Sequence, residues 1–457
     1  DMIFKGGKVY TVNKSQPWAQ AVAVSGGKIV YVGSDAGATE FVGASTQVVE
    51  LEGRMLLPGF QDAHVHPLEG ASLETFMGCD LTTLGEDRNP EHWLEHLRKC
   101  NDIDYPHGWI LGGGHDMVDL LPLQRTPREV LDDAFPNKPA AFMEKTSHSM
   151  WVNSLALKVA GIDRNTPDPI GGIIFKDAKG EPNGILSDSA GDELMHLALQ
   201  KTPALQQARY EALVASQDYL VKHGITSVTN ARVYWERGNH EPWLRAEQEG
   251  TLKTRSIMAL WAYPHMEDAF QIEKLKSMYQ DDKESLLRWS MIKFYSDGVV
   301  ANNSAAVIDP YHYRIHPDSK PLGLNYFDEA RLEKYITALE PVGFDVHIHA
   351  LGDRAVKESL NALQAVQNNN PQLKGKTRHQ LTHVAVVRAD DIERFSALDV
   401  AANFQVNFGP EYLIDPEPGS IDFDNVSLDD EDFWYKLVGP ADVTFSPVLG
   451  VYDSGGR

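Results

Sequence analysis

The sequence predicts an α/β protein built on a closed barrel of parallel strands with helices outside. From residue 57 onward, short apolar runs of β type alternate with longer helical stretches, as in "ARYEALVASQDYLVKHG" followed by "ITSVTNA". This alternation favours a parallel sheet covered by helices, and the number of units favours a closed (β/α) barrel over an open sheet. Histidines and a lysine stand at the ends of several strand-like runs, and in such a barrel these ends meet at the face that carries active sites.

Residues 1–57 have a different pattern. Runs such as "MIFKGGKVYTV" and "AQAVAVSGGKIVYVGS", broken by Gly-Gly and Gly-Ser turns, predict a small, mostly antiparallel β unit. The barrel is expected over residues 58–450, with an insertion at about residues 70–200 that lies over one mouth. The insertion includes a predicted hairpin, "GGIIFKDAKGEPNGILSD". Residues 451–457 are expected to begin a further C-terminal region.

Composition excludes several classes of protein. The 457 residues include 42 Lys and Arg against 65 Asp and Glu, and the formal charge of -23 opposes binding to nucleic acid and anionic lipid. No stretch approaches the roughly 20 apolar residues of a membrane span. The two cysteines, Cys79 and Cys100, allow one bridge but no disulfide framework. A cytoplasmic location is predicted. Because the chain begins at Asp1, a processed or incomplete N-terminus is expected, which leaves a periplasmic or envelope location open.

The segment "LLPGFQDAHVHP" carries two histidines one residue apart, His64 and His66. On a strand, residues i and i+2 point to the same face, so both imidazoles can reach one metal ion. An isolated pair of this kind is more often made of ordinary polar residues, and a catalytic zinc needs about three protein ligands. Further candidates stand at the ends of later strand-like runs: Lys293, His347, His349 and His383.

Taken together, five segments resemble the amidohydrolase superfamily, in particular its amidohydrolase family 3 branch. They are "LPGFQDAHVHP", "SHSMWVNSLAL", "IKFYSDG", "VHIHALGDRAV" and "RHQLTHV", and they occur in family order over nearly the whole chain. The resemblance implies a distorted (β/α)8 barrel that holds one or two divalent metal ions. It also implies a small β-sandwich domain formed by both chain termini.

The same resemblance implies a ligand set. His64 and His66 would come from the first strand, Lys293 from the fourth, His349 from the fifth and His383 from the sixth. Lys293, His349 and His383 would also be the catalytic residues. Many family members carry a carbamate on the lysine, and a buried lysine beside dications is easily neutralised, which lets its amine react. Zinc suits these ligands best, although iron, manganese or nickel could also occupy them.

The roles of His148, Trp151 and His347 have alternatives. By family analogy His148 and Trp151 line the substrate pocket, and the alternative is that Trp151 packs in a core and His148 lies in a loop. His347 is expected to bind substrate or to support a ligand.

Two acidic residues also have alternative roles at this stage. Asp353 is expected either to orient an imidazole or to cap the following helix. The alternative to a metal-bridging Lys293 is an ion pair with Asp297.

The chain departs from the family at the eighth strand, which normally ends in Ser-Asp. Here "ADVTFS" runs from Ser446 directly into Pro447, Asp442 lies at the wrong end of the strand, and Asp453 comes too late. We therefore expect that a loop is missing between Ser446 and Pro447, and that a tail is missing after Arg457.

The predicted activity is hydrolysis of a C-N bond of the amide type in a small molecule, by metal-activated hydroxide. A mononuclear deaminase is a weaker alternative, because Gly352 stands where such enzymes place a glutamate. An esterase or lactonase and a non-catalytic binding protein also remain alternatives, and self-association is left open. A zincin protease is rejected, since Gln380 replaces the essential glutamate in "HQLTH".

Overall fold

The computed structural model describes residues 1–71, 78–85, 87–103, 105 and 108–405, and the backbone of residues 443–445. It contains two compact units, residues 1–61 with 222–227, and residues 62–221 with 228–457. The expectations for Asp442, Ser446, Pro447, Asp453 and Arg457, and for residues 451–457, lie outside the described residues.

The first unit contains two small sheets, as predicted for the N-terminal residues. Its strands are β1 (Met2–Lys5), β2 (Lys8–Tyr10), β3 (Trp18–Ala19), β4 (Ala21–Ser25), β5 (Lys28–Gly33), β6 (Gln47–Glu50) and β7 (Met55–Leu56), with helix α1 (Asp35–Ala38). The sheet orders are β5-β4-β1-β6 and β3-β2-β7. The pairings β1 with β6 and β2 with β7 are parallel, which the turn signals of the sequence do not reveal.

The chain continues through β8 (Phe60–Val65) and helix α2 (Pro67–Ala71) into a six-stranded sheet. The strands of this sheet are β9 (Cys79–Asp80), β10 (Ile110–Gly113), β11 (Ala140–Met143), β12 (Ser149–Val152), β13 (Gly172–Lys176) and β14 (Pro182–Asp188), in the order β13-β14-β12-β11-β10-β9. The antiparallel pair β13 and β14 is the predicted hairpin. The accompanying helices are α3 (Leu94–Lys99), α4 (Pro127–Ala134), α5 (Ser154–Ala160) and α6 (Ser189–Ala198).

Trp151 lies at the centre of the hydrophobic core around this six-stranded sheet. Its side chain is fully buried and its ring packs near those of Trp93 and Phe142. The indole Nε1 donates a hydrogen bond to the Pro127 carbonyl oxygen at 2.8 Å. Cys79 and Cys100 form a disulfide at the edge of the same core.

The second sheet of this unit is a nearly closed barrel of seven strands. Its later strands are β15 (Ile225–Val233), β16 (Arg255–Trp261), β17 (Leu287–Tyr295), β18 (Asp345–Ala350), β19 (Gln380–His383) and β21 (Ala401–Asn403), in the order β21-β19-β18-β17-β16-β15-β8. The pairs from β16 to β21 are parallel. Asn403 Nδ2 donates to the Ala63 carbonyl at 3.1 Å, which joins the two edge strands. Strands β20 (Val386–Arg388) and β22 (Val443–Phe445) form a separate antiparallel pair.

The helices that alternate with these strands are α7 (Pro203–Lys222), α8 (Glu241–Gln248), α9 (Asp268–Ser277), α10 (Glu329–Leu339), α11 (Asp353–Asn369) and α12 (Ala389–Ala397). Of these, α7, α10, α11 and α12 lie in stretches that the sequence pattern predicts as helical. Short 3₁₀ helices occupy Thr39–Phe41, Thr82–Leu84, Pro90–Trp93, Cys100–Asp102, Met117–Leu120, Val300–Asn302, Glu340–Val342 and Pro371–Leu373. In α10 the buried residues Leu332, Tyr335, Ile336 and Leu339 follow the helical period, which fixes the face packed on the core. Over the part of the chain described, no helix is long and apolar enough to cross a membrane.

Trp151→Ala is expected to lower the free energy of unfolding by about 3–5 kcal/mol, because it leaves a cavity in the core and an unpaired Pro127 carbonyl. Trp151→Phe is expected to lower it less. Urea denaturation of the wild type and both variants measures the difference. A loss below about 1 kcal/mol for the alanine variant would contradict the packing role.

Candidate metal centre

The register of the barrel strands brings the predicted residues into neighbouring rows. On β17 and β18, Lys293 stands beside His347 and Tyr295 beside His349. On the next pair Ala350 stands beside His383. Because all these strands are parallel, their carboxyl ends meet at one face, as the sequence predicted.

Four of the predicted ligands surround one cavity of about 260 Å³: His64, His66, His349 and His383. The ring centres of His64 and His66 are 5.2 Å apart, those of His64 and His383 are 4.9 Å apart, and those of His349 and His383 are 4.7 Å apart. Lys293 is fully buried, and its Nζ lies 5.2 Å from the centre of the Tyr295 ring. The structure therefore brings together imidazoles from β8, β18 and β19 and the β17 lysine.

Burial keeps these groups uncharged. Desolvation is the largest cause that lowers the pKa of His64, His66, Lys293, His347, His349 and His383 well below their ordinary values. For Lys293, repulsion from the Arg232 guanidinium adds to this effect. A neutral imidazole binds metal and a neutral amine is nucleophilic, so the environment favours the protonation states that a metal centre requires.

Several buried nitrogens have no hydrogen-bond partner among the described residues: Lys293 Nζ, His66 Nδ1, His347 Nδ1 and His349 Nδ1. Leaving one buried polar group unpaired costs roughly 1–3 kcal/mol. Glu69 Oε2 lies 3.7 Å from His66 Nδ1, beyond hydrogen-bond distance. The nitrogens of His66 and His349, with a carbamate on Lys293, are donors of the kind that a divalent metal binds, so the chemistry of these residues fits such an ion.

Two ring tautomers are fixed by oxygen acceptors. His349 Nε2 donates to the Gly298 carbonyl at 3.0 Å, so the lone pair of the neutral ring is on Nδ1. His383 Nδ1 lies 2.5 Å from the Gln405 side-chain oxygen, which places the lone pair of that ring on Nε2. Hydrogen bonds of this kind orient histidine ligands in metal sites.

His347 contacts a ligand rather than the cavity. Its Nε2 lies 2.9 Å from His64 Nδ1, which is also 2.9 Å from Thr382 Oγ1. Since His347 is fully buried and is not among the described residues that line the cavity, the expected substrate contact is corrected. The role that fits this geometry is support of His64.

Asp297 does not pair with Lys293 in this structure. Its carboxylate accepts hydrogen bonds from the backbone nitrogens of Ala306, Leu351 and Gly352 at 2.9, 3.0 and 2.8 Å. Burial nevertheless raises its pKa to about 8. These bonds hold the loop after β17 against the end of β18.

Asp353 takes neither of its two predicted roles. Gly352 is the residue that precedes α11, and no side-chain cap is present there. Asp353 instead accepts hydrogen bonds from the Ile308 backbone at 3.0 Å and from Arg388 Nε at 2.6 Å. It therefore joins a barrel loop to β20.

The two residues expected to line the pocket, His148 and Trp151, lie in different surroundings. His148 lines the cavity, with its ring centre 4.9 Å from that of His349. Trp151 lies in the core of the six-stranded sheet, so its expected substrate contact is corrected in favour of the packing alternative. The two residues lie in different elements, because His148 precedes β12 in a loop whereas Trp151 lies within that strand.

A buried carboxyl group supports the loop that contains His148. Glu144 accepts hydrogen bonds from Thr146 Oγ1 at 2.5 Å and from the His148 backbone nitrogen at 3.4 Å. Ser147, in the same loop, has a positive φ of 63°. Desolvation is the largest cause of the shift that raises the pKa of Glu144 to about 7.

Sequence reasoning missed several residues of the cavity. Arg232 Nη2 donates to Glu69 at 2.7 Å, and Arg232 Nη1 donates to the Tyr295 hydroxyl at 2.9 Å. The sequence could have predicted Tyr295 as a site residue, since it is two residues from Lys293 on the same strand face. Glu69 and Arg232 are 163 positions apart, so no local pattern pairs them.

Comparison with known proteins agrees with this geometry. A profile described as "Amidohydrolase family" matches residues 47–426. The putative amidohydrolase YtcJ of Bacillus subtilis (strain 168) is 29% identical over 89% of this chain and 73% of its own. The N-substituted formamide deformylase of Arthrobacter pascens is 27% identical over 90% of this chain and 74% of its own.

A solved structure shares the fold. It is an uncharacterized metal-dependent hydrolase from Pyrococcus horikoshii OT3, with a TM-score of 0.65, 21% identity, and coverage of 89% of this chain and 75% of the other. The chain belongs to the amidohydrolase family.

The pKa of Glu144 predicts a pH dependence of stability. The folded protein retains this proton up to about pH 7, whereas the ordinary pKa is 4.5, so stability should fall as pH rises through this window. Between pH 5 and pH 8, the free energy of unfolding of the wild type should therefore fall by up to about 3 kcal/mol more than that of Glu144→Gln. Urea denaturation at both pH values measures this, and equal slopes for the two proteins would contradict the assignment.

Proposed function

We propose that this chain is a metal-dependent hydrolase that cleaves the C-N bond of an amide-type small molecule. The observation that carries the proposal is the group of uncharged imidazoles around one cavity, with the unpaired amine of Lys293 buried next to Tyr295 in its wall. Membership in the amidohydrolase family supports the reaction class. The relative named as an N-substituted formamide deformylase supports the choice of an amide over an ester.

In this proposal His64, His66, His349 and His383 hold one or two divalent ions, with zinc as the first choice. A bound divalent metal supplies an activated water at neutral pH and polarises a carbonyl oxygen. Lys293 contributes a carbamate: its neutral amine forms a bond to the carbon of carbon dioxide and loses a proton. His349 and His383 keep fixed tautomers through Gly298 and Gln405, so each ring presents one defined nitrogen.

The remaining wall of the cavity sets what can bind. Arg232 and Glu69 are both largely buried and form a bidentate pair, so neither charge is available to neutralise an ionic substrate. Tyr295 and His148 add two flat rings, stacked at a 14° angle with centres 5.1 Å apart. A volume of about 260 Å³ suits a small acyl compound. These features favour a neutral amide with a modest substituent.

The first experiment combines metal analysis with a substrate panel. The purified protein should contain a divalent metal and should hydrolyse at least one member of a set of N-formyl and N-acyl amines, with release of the free amine. Dialysis against a chelator should abolish this turnover, and added zinc should restore it. His64→Ala should lose metal and activity together, because His64 is central to the imidazole cluster.

His92→Ala is the matched control for this experiment. The His92 side chain is 63% exposed and lies outside the cavity, so its replacement should leave metal content and turnover unchanged. A protein that binds no metal, or whose turnover survives both chelation and His64→Ala, would contradict the proposed function. Hydrolysis of esters alone would be consistent with the proposed metal centre but would contradict the proposed cleavage of an amide C-N bond.

Lys293 variants test the carbamate separately. Lys293→Ala should lose activity, and added formate or acetate should restore part of it, because a small carboxylate can occupy the space of the missing carbamate. Lys293→Met fills that space and should not respond. Activity against carboxylate concentration measures the effect. Full activity of Lys293→Ala without additive, or equal responses of both variants, would contradict a bridging carbamate.

A further inference from the structure

Asp188 and His148 form a buried pair at the wall of the cavity, and nothing in the proposed hydrolysis yet uses it. Asp188 Oδ1 lies 2.8 Å from His148 Nδ1 and also accepts a hydrogen bond from the Tyr326 hydroxyl at 2.8 Å. Asp188 Oδ2 accepts a hydrogen bond from Ser187 Oγ at 2.6 Å. The side chains of His148 and Asp188 are only 4% and 0% exposed. Three hydrogen-bond partners therefore surround this one buried carboxylate.

The backbone at Asp188 is strained to make this contact. Asp188 has φ 54° and ψ -125°, a backbone conformation that residues other than glycine rarely adopt. Its backbone nitrogen donates to the His148 carbonyl at 2.6 Å, so the two residues are joined twice. A Cβ on Gly298 would lie 2.5 Å from Asp188 Oδ1, so the glycine admits the carboxylate. The fold therefore holds Asp188 in one position against His148.

This arrangement fixes the tautomer of His148. A carboxylate oxygen only accepts, so Nδ1 of the ring is the donor in the bond to Asp188. In the neutral ring, Nε2 then carries the lone pair and can only accept. Because His148 lines the cavity beside His349, Nε2 is the ring nitrogen left to meet a bound molecule next to the predicted metal ligands.

We propose that His148, held in this tautomer by Asp188, accepts a hydrogen bond from the N-H of the scissile amide. The inference rests on the proposed function and narrows its substrate class: the site selects acyl compounds whose leaving nitrogen bears a hydrogen. A substrate with a methyl group on that nitrogen leaves Nε2 unpaired and places carbon against it. Sites built to pair with a substrate N-H discriminate strongly against analogues that lack it.

The test compares each active amide of the panel with its N-methyl derivative on the metal-loaded protein. The wild type should prefer the N-H substrate by roughly tenfold or more in kcat/KM. His148→Phe keeps a flat ring without an acceptor, so it should lower kcat/KM for the N-H substrate towards that of the N-methyl one. Equal rates of the wild type on both substrates would overturn this inference and leave the proposed function intact, whereas no hydrolysis of any panel member would count against the proposed function.

Asp188→Asn tests the positioning role of Asp188. An amide of the same size can donate to Nδ1, which moves the ring proton to Nε2 and turns the acceptor into a donor. The preference for N-H over N-methyl should then disappear, whereas a merely structural role would lower both rates and keep their ratio. ¹⁵N NMR of the zinc-loaded wild type gives a readout that needs no substrate: protonated Nδ1 and unprotonated Nε2 of His148 are expected. The opposite tautomer, or an unchanged ratio in Asp188→Asn, would overturn the proposal.

Discussion

The structure depends on a set of nitrogen bases buried without charge at the end of a barrel. Lys293 has no exposed surface and His347 and His349 are nearly as deeply buried, whereas the His66 side chain at the cavity is 29% exposed. Protonating any one of these bases would create a cation in a medium of low polarity, and desolvation makes that charged form unfavourable. A cluster of this kind is costly in an ordinary core, and it becomes favourable when the lone pairs bind a cation. Folding and the proposed chemistry therefore require the same protonation states.

The region that contains the six-stranded sheet also contributes to this site. It supplies His148 and Asp188, and Tyr326 from the barrel side completes the same carboxylate. Ser147 and Asp188 in this region, and His383 and Val384 at the end of β19, have positive φ without being glycine. Strain of this type persists only where surrounding contacts hold it, and it occurs often at functional sites. On both sides of the cavity, strained backbone conformations that lower stability therefore hold a few side chains in place.

The sequence predicts the barrel from short-range rules, and it predicts the set of candidate ligands from these rules together with the family resemblance. Alternating strands and helices predict the fold, and His64 with His66 share a face through the period of two. Lys293 and His349 stand at strand ends, which one face of a barrel brings together. The N-terminal sheets were also predicted, although their parallel pairings join strands that are distant in the sequence.

The errors have a common physical origin in contacts between distant segments. Trp151 was expected in the pocket, but its side chain faces the core of the six-stranded sheet. Asp353 was expected at a helix cap or an imidazole, but it pairs with Arg388, 35 positions away. The bond from Asp188 to Tyr326 spans 138 positions, and no local pattern in one sequence specifies it. Side-chain direction and long-range pairing therefore required the structure.

A crystal structure of the protein grown with zinc, with anomalous diffraction recorded at the zinc edge, tests the central claim most directly. The account predicts anomalous density within about 2.0–2.2 Å of nitrogens of His64, His66, His349 and His383. It also predicts extra density extending from Lys293 Nζ towards the metal. Zinc bound only at other residues, or these imidazoles packed against one another with no zinc between them, would contradict it.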